Sequence, residues 1–279
     1  MSDLEIRPAS RQDLATMTDW AATEGWNPGL HDADAFFPTD PEGFLIGWLG
    51  DKPVTCISVV AYDDAYGFLG FYIAHPDHRG QGHGIATWNA GIERLGKRTI
   101  GLDGVVDQQP NYARSGFNLA QRNVRFAGVP GLEPAGDHPL VELADLSPDL
   151  SAYDADLVPA PRDGFLRHWV NPEHRRTLGY VEDGRIRGYG TIRPCREGHK
   201  IGPLFADTPT VAEALFNGLV GPEGGGAVMI DVPEPNGEAV ALAGRLGLQP
   251  VFETARMYRG AAPSLPIERI YGITSFELG

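Results

Sequence analysis

Six consecutive residues, Arg79-Gly80-Gln81-Gly82-His83-Gly84, hold the densest chemistry in this 279-residue chain. Glycines at alternate positions let the backbone approach a ligand closely and turn its N–H groups inward. An apolar run, Gly67 to Ala74, precedes the loop. A helical pattern follows it, and a helix N-terminus adds a positive end to the same place. The combination suits a pyrophosphate; a plain glycine turn is the bland alternative. Two other phosphate signatures do not fit. Ile85 stands where the dinucleotide fingerprint needs its third glycine, and no Lys-Ser/Thr pair follows for a triphosphate loop. His75, His78 and His83 cluster here, but without a carboxylate or cysteine at ligand spacing they read as loop residues beside phosphates, and no metal is expected.

The loop needs a strand before it and a helix after it, and the surrounding pattern supplies both. Leu4 to Arg7 alternates as a short strand, and Ser10 with Asp13 makes a capping-box-like helix start. Glu24 to Asp40 reads as irregular. Phe44 to Leu49 and Pro53 to Tyr62 form a hairpin, and Gly67 to Ala74 is a central strand. Ile85, Trp88, Ile92 and Leu95 share one helix face. Then come a strand from Thr99, a short helix over Asp107 to Ser115 stopped by Gly116, and a strand from Phe117 to Ala127. Pro130, Gly131, Pro134, Gly136 and Pro139 mark a linker.

A second unit then repeats the order of hairpin, strand, helix, strand, helix, strand, closing with Leu248 to Tyr258. Arg114-Ser115-Gly116-Phe117 lies 131 positions before Arg245-Leu246-Gly247-Leu248, and Arg125 lies the same distance before Arg256. This spacing reads as an internal duplication. The tail, Ile267 to Leu278, reads as an extra strand with no counterpart in the first half.

Composition bounds the function. At 42% apolar and 22% charged the chain is globular rather than disordered. A net charge of −14 excludes a non-specific nucleic-acid binder and disfavours anionic lipid. It mildly favours cationic partners. Two cysteines, Cys56 and Cys195, make neither a disulfide framework nor a zinc site, and both are expected as small buried hydrophobes. No signal-peptide core or long apolar span occurs, so a cytoplasmic protein is expected.

The loop resembles the acyl-CoA signature of the GNAT N-acetyltransferase superfamily, R/Q-x-x-G-x-G/A after the fourth strand, matched by Arg79, Gly82 and Gly84. Ile73-Ala74-His75-Pro76-Asp77 is similar to the family's lead-in. Tyr112, Gly116 and Phe117 match its Tyr-x-x-x-Gly-Phe element. The resemblance covers about residues 3 to 128 and implies an α/β (α+β) fold of tandem domains, each a mixed, mostly antiparallel sheet flanked by helices. The expected division is a catalytic domain over 1–130 and a degenerate GNAT-like domain over 140–279.

The resemblance further implies an N-acetyltransferase. An amine of a small molecule attacks the thioester of acetyl-CoA, the cosubstrate, in one ternary complex. Arg79, Gly80, Gln81, Gly82, His83 and Gly84 belong to the pyrophosphate loop. Backbone groups of Ile73 and Ala74 pair with the pantetheine arm, and Tyr112 is the acid for the departing thiolate. Such transfer needs the amine deprotonated. Glu24, Tyr72 and Asp103 are candidate bases, and the sequence does not choose among them. Where many members carry an asparagine after the fifth strand, this chain has Gly104 and Val105, with Asp107, Gln108 or Gln109 as substitutes. The second half has no glycine loop in Pro203 to Pro209, and Ala243 stands opposite Tyr112. Its expected task is to wall the acceptor cleft, opposite Trp20, Trp26, Phe36 and Phe37. The runner-up reading is a non-catalytic acyl-CoA sensor. The partners expected are the amine alone, with no nucleic acid or membrane, in a monomer or homodimer.

Overall fold

The computed structural model describes residues 3–132, 137–223 and 226–279; the linker positions Pro134 and Gly136 lie outside them. The first half runs β1 (Leu4–Pro8), α1 (Asp13–Thr23), α2 (Asp32–Thr39), β2 (Phe44–Leu49), β3 (Lys52–Ala61), β4 (Tyr66–Ala74), α3 (His83–Leu95), β5 (Thr99–Val105), α4 (Gln109–Arg114) and β6 (Asn118–Gly128). The second runs β7 (Leu140–Glu142), α5 (Pro148–Ala155), α6 (Asp163–Trp169), β8 (Arg176–Glu182), β9 (Arg185–Pro194), β10 (His199–Ala206), α7 (Pro209–Val220), β11 (Val228–Pro233), α8 (Gly237–Arg245), β12 (Gln249–Arg259) and β13 (Ile270–Gly272).

Two expectations need correction. The segment read as irregular contains α2, and α6 answers it from the second half. Phe36 of α2 lies parallel to Trp169 of α6, with ring centroids 6.1 Å apart. Helices this short hold through tertiary packing rather than their own periodicity. The Asp32 carboxylate, fully buried, accepts from the Gly29 N–H and pairs with Arg193. The tail is also different: Ile267–Arg269 is a single 3-10 turn, only Ile270–Gly272 is strand, and residues 273–278 are buried irregular chain.

All strands join one sheet, in the order β1-β2-β3-β4-β5-β12-β6-β11-β10-β9-β8-β7, with β13 on β10. The two halves therefore exchange their closing strands. β12, from the second half, pairs with β5; β6, from the first half, pairs with β11. Each exchanged strand brings a buried arginine onto an aspartate directly across. Arg125 faces Asp231 in register, and Arg256 faces Asp103. The Arg125/Arg256 repeat marks these two clasps.

Both halves splay the same way. The β4–β5 ladder runs from Tyr66–Thr99 to Leu69–Leu102 and then ends. The β10–β11 ladder runs from His199–Val228 to Ile201–Ile230 and then ends. In the second half the gap is filled: β13 pairs with β10, and the Ile273 N–H donates to the Asp231 carbonyl at 2.9 Å. In the first half the gap is open. Apolar cores cover both sheet faces there. Trp88 and Leu95 of α3 pack on one side with Ile57, Val59 and Phe117. Met17, Ala21, Phe36, Phe71 and Trp169 pack on the other side. Cys56 and Cys195 are buried free thiols. Among the described residues, no helix is long and apolar enough to cross a membrane.

Candidate active site

Where β4 and β5 part, a cavity of about 850 Å³ passes between them. One mouth of it is the glycine loop. Gly80 and Gly82 adopt φ of +73° and +85°, and a Cβ on either would meet nothing within 4 Å. Gly82 stands at the N-cap of α3 and no side chain caps that end. The α3 amides therefore face an open mouth, as anion binding requires. The matching helix of the second half, α7, is closed instead: Thr208 accepts from the Val211 N–H, and Pro209 fills the first turn.

Arg79 does not reach into the cavity as a free cation. Its Nε donates to the Ala74 carbonyl at 2.9 Å, and its Nη2 pairs with the Glu24 carboxylate. Glu24 is thereby tied to the loop. The β4 wall is bulged: Cys56 pairs with Ile73 but Ser58 pairs with Gly70, so β4 carries one residue more than β3 across this stretch. Phe71 in the bulge has φ +46°, a conformation rare for a bulky residue. Below the bulge, Ile73 and Ala74 hydrogen-bond to β3 on one edge, while their other edge has lost β5.

Tyr112 enters from α4 on the α3 side. It is largely buried, and its ring stacks on Trp88 with centroids 5.6 Å apart. Gly104 makes room for it: a Cβ there would lie 2.2 Å from the Tyr112 ring. The position that departs from the family's asparagine is thus the one the tyrosine ring occupies. Among the described residues nothing hydrogen-bonds the Tyr112 hydroxyl. Burial pushes its pKa up, and neighbouring Tyr72 adds to that. Tyr72 also lines the cavity, and its hydroxyl would lie 3.1 Å from a Cβ on Gly84.

The Asp103 side chain is fully buried, yet it borders the cavity. Arg256 donates to both its oxygens, at 2.8 and 2.6 Å, and Asn123 donates at 2.7 Å. Burial pushes its carboxyl up, against the pull of Arg256 and Asn123.

The cavity thus gathers Glu24, Tyr72, Ile73, Ala74, Arg79, Gly80, Gly82, Gly84, Asp103 and Tyr112. Gln81 and His83 do not line it; the Gln81 amide turns back to donate to the Asp77 carbonyl. Asp107 and Gln108 line it and Gln109 does not. Of the four aromatic residues expected in the first-half wall, only Trp26 is there; Phe36 is wholly core. Phe252 of β12 and Phe276 of the tail complete that wall, and the sequence carried no signal for either. His75, His78 and His83 lie near one another, with ring centroids 5.9 Å (His75–His78) and 6.4 Å (His78–His83) apart. Elsewhere, His31, Asp34 and His174 converge, but the two imidazoles stack 4.0 Å apart and 5° from parallel. An ion sits in the plane of a histidine ligand, so these stacked rings cannot share one.

Comparison with known proteins fits this geometry. Residues 11–117 match the model of the acetyltransferase (GNAT) family, and residues 150–272 match an acetyltransferase (GNAT) domain model. The chain is 32% identical over 275 residues to the holothin acyltransferase of Pseudoalteromonas sp. (strain SANK 73390), covering 98% of this chain and 94% of that one. A crystal structure from Pyrococcus horikoshii, assigned as a candidate acetyltransferase, superposes with TM-score 0.84 at 22% identity, over 100% of this chain and 97% of that one. A tandem GNAT protein of the clavulanic acid biosynthesis pathway, without AcCoA, gives 0.64 at 18% identity, over 94% of this chain and 100% of that one. These two structures share the fold.

Proposed function

The chain belongs to the GNAT acetyltransferase family, and on that footing we propose that it transfers an acyl group, acetyl in the simplest case, from acyl-CoA to a primary amine of a small molecule. The observation that carries this is the open cleft itself. An uncapped glycine-loop helix end, an unpaired strand edge and an unengaged tyrosine hydroxyl meet in one cavity. The second half has a capped helix, a filled gap and Ala243.

In this reading the amides at the start of α3 hold the pyrophosphate. The free edge of Ile73 and Ala74 pairs with the pantetheine arm as an added strand. Backbone amides of the Phe71–Tyr72 bulge polarise the thioester carbonyl. The amine nitrogen attacks that carbon, the C–N bond forms and the C–S bond breaks. The thiolate takes the Tyr112 proton, and the proton shed by the new amide nitrogen returns to the tyrosinate, directly or through water. The raised pKa keeps Tyr112 protonated throughout the neutral range.

The alternative, an acyl-CoA sensor, draws on one observation: Glu24 and Asp103 are both ion-paired. Thiol release from acetyl-CoA over a panel of amines, with mass detection of the amide, separates the two. Release with at least one amine class is expected. Tight acetyl-CoA binding with no release from any amine would favour the sensor.

A further inference from the structure

We infer that the acceptor is a weakly basic aromatic amine, held against a wall of Trp26, Phe252 and Phe276; this deepens the acyltransferase reading and rests on it. The three rings come from distant parts of the chain: the loop after α1, the exchanged strand β12 and the C-terminal tail. All three line the cavity that Tyr112 lines. One buried residue fixes them together. The Arg125 guanidinium lies 4.8 Å from the Phe276 ring centre and 5.8 Å from that of Phe252, and its Nη1 donates to the Trp26 carbonyl at 2.7 Å. Arg125 is itself clamped by Asp231 through bonds of 2.6 and 2.9 Å, with both side chains almost wholly buried. The wall is therefore built before any ligand arrives, which favours a flat, rigid guest.

Charge decides the class of amine. An aromatic wall also attracts cations. Here, however, the face of Phe276 already carries a guanidinium, and a second cation beside it is opposed. Of the three carboxylates bordering the cavity, two are engaged and the third stands in solvent, which screens its attraction for an ammonium. Glu24 is held by Arg79, Asp103 by Arg256 and Asn123, and Asp107 is exposed. Glu277 follows Phe276 but is wholly buried, facing Lys200, Asp32, Arg125 and Arg193. His78 belongs to the phosphate loop, beside Arg79. The same pairings engage the two candidate carboxylate bases. An alkylamine, protonated at neutral pH, must lose a proton before it attacks. An aromatic amine spreads its lone pair into the ring, is already unprotonated at neutral pH, and needs no base first.

The test uses the full chain, acetyl-CoA and two isomers, 4-ethylaniline and 2-phenylethylamine, with hexylamine as a ring-free control. Initial rates of thiol release are read from pH 6 to 9. The expected result is a kcat/KM for 4-ethylaniline at least tenfold above both alkylamines at pH 7, and flat between pH 6.5 and 8. Preference for either alkylamine at pH 7 overturns the inference while leaving acyl transfer standing. No release from any of the three, with acetyl-CoA bound in calorimetry, overturns the inference and returns the sensor reading. Phe276→Leu and Trp26→Leu, each checked for an unchanged far-UV spectrum, are expected to raise the 4-ethylaniline KM about tenfold and leave the acetyl-CoA KM in place. An unchanged arylamine KM in both folded variants also overturns it.

Discussion

At the residue scale the chemistry turns on Tyr112 and the glycine beneath it. Tyr112 was legible because its type and its spacing to Gly116 and Phe117 are local. Gly104 was legible only as a departure from pattern, since its partner lies eight positions on across a turn. The collision at 2.2 Å explains the glycine. Gly104→Ala should displace the ring, costing about 1–3 kcal/mol of stability by overpacking. Thermal melts and turnover should fall together, and an unchanged melt would show that the ring yields freely. Asp103 has a different fate from the one its type suggested. It reads as a carboxylate with proton-transfer chemistry, yet the fold places it in a buried pair with Arg256. Burial raises its pKa and the arginine opposes that. Removing one partner of such a pair strands the other charge. Asp103→Asn should therefore cost about 3–5 kcal/mol in denaturant unfolding. A loss of turnover without any loss of stability would return Asp103 to the chemistry.

At the element scale, the hairpin, the β4–loop–α3 unit and the closing strands were readable from period and punctuation. Phe44–Leu49 falls where the hairpin signal put it. Among the elements missed, α2 and α6 are short helices whose apolar residues meet across the two halves, in a core shared with α1, β2 and β4. No local pattern encodes that. The partner of each closing strand was equally hidden, because strand exchange is decided by contacts across the halves. Only the Arg125/Arg256 repeat hinted at it. The loop glycines invite a sharper test. An alanine at Gly82, at φ +85°, meets no atom but carries backbone strain of about 1–2 kcal/mol. Gly82→Ala should raise the acyl-CoA KM with little change in the acceptor KM. An equal rise in both would mean the loop does not hold the cosubstrate.

At the scale of the molecule, one chain built on a repeat has divided its labour. The first half keeps its splay open, and the second fills its own with β13. The tail then crosses to the first half, where the Tyr62 hydroxyl donates to the Leu278 carbonyl at 2.7 Å and Glu277 lies against Gly70. The sequence showed a tail without a counterpart; its path could not be read, because an irregular buried segment has no period. Glu277 reports on that path. Both its carboxylate oxygens are buried without a hydrogen-bond partner, and burial raises its pKa above the ordinary 4.5. A raised carboxyl binds more protons folded than unfolded. Its contribution is full below the unfolded value and is lost as pH rises through the folded one. Glu277→Gln should therefore gain on the wild type as pH rises from about 4 to 8, by about 1–3 kcal/mol. A stability difference that shrinks with pH would mean the nearby cations win. Acyl transfer in the first-half cleft with Tyr112 as the acid is open to one direct measurement. It is turnover of acetyl-CoA and an accepted amine by Tyr112→Phe beside the wild type, with the acetyl-CoA affinity of both. A fall in kcat of about 10²–10⁴ at unchanged affinity is the result predicted. Equal turnover by the two proteins would rule out Tyr112 as the acid.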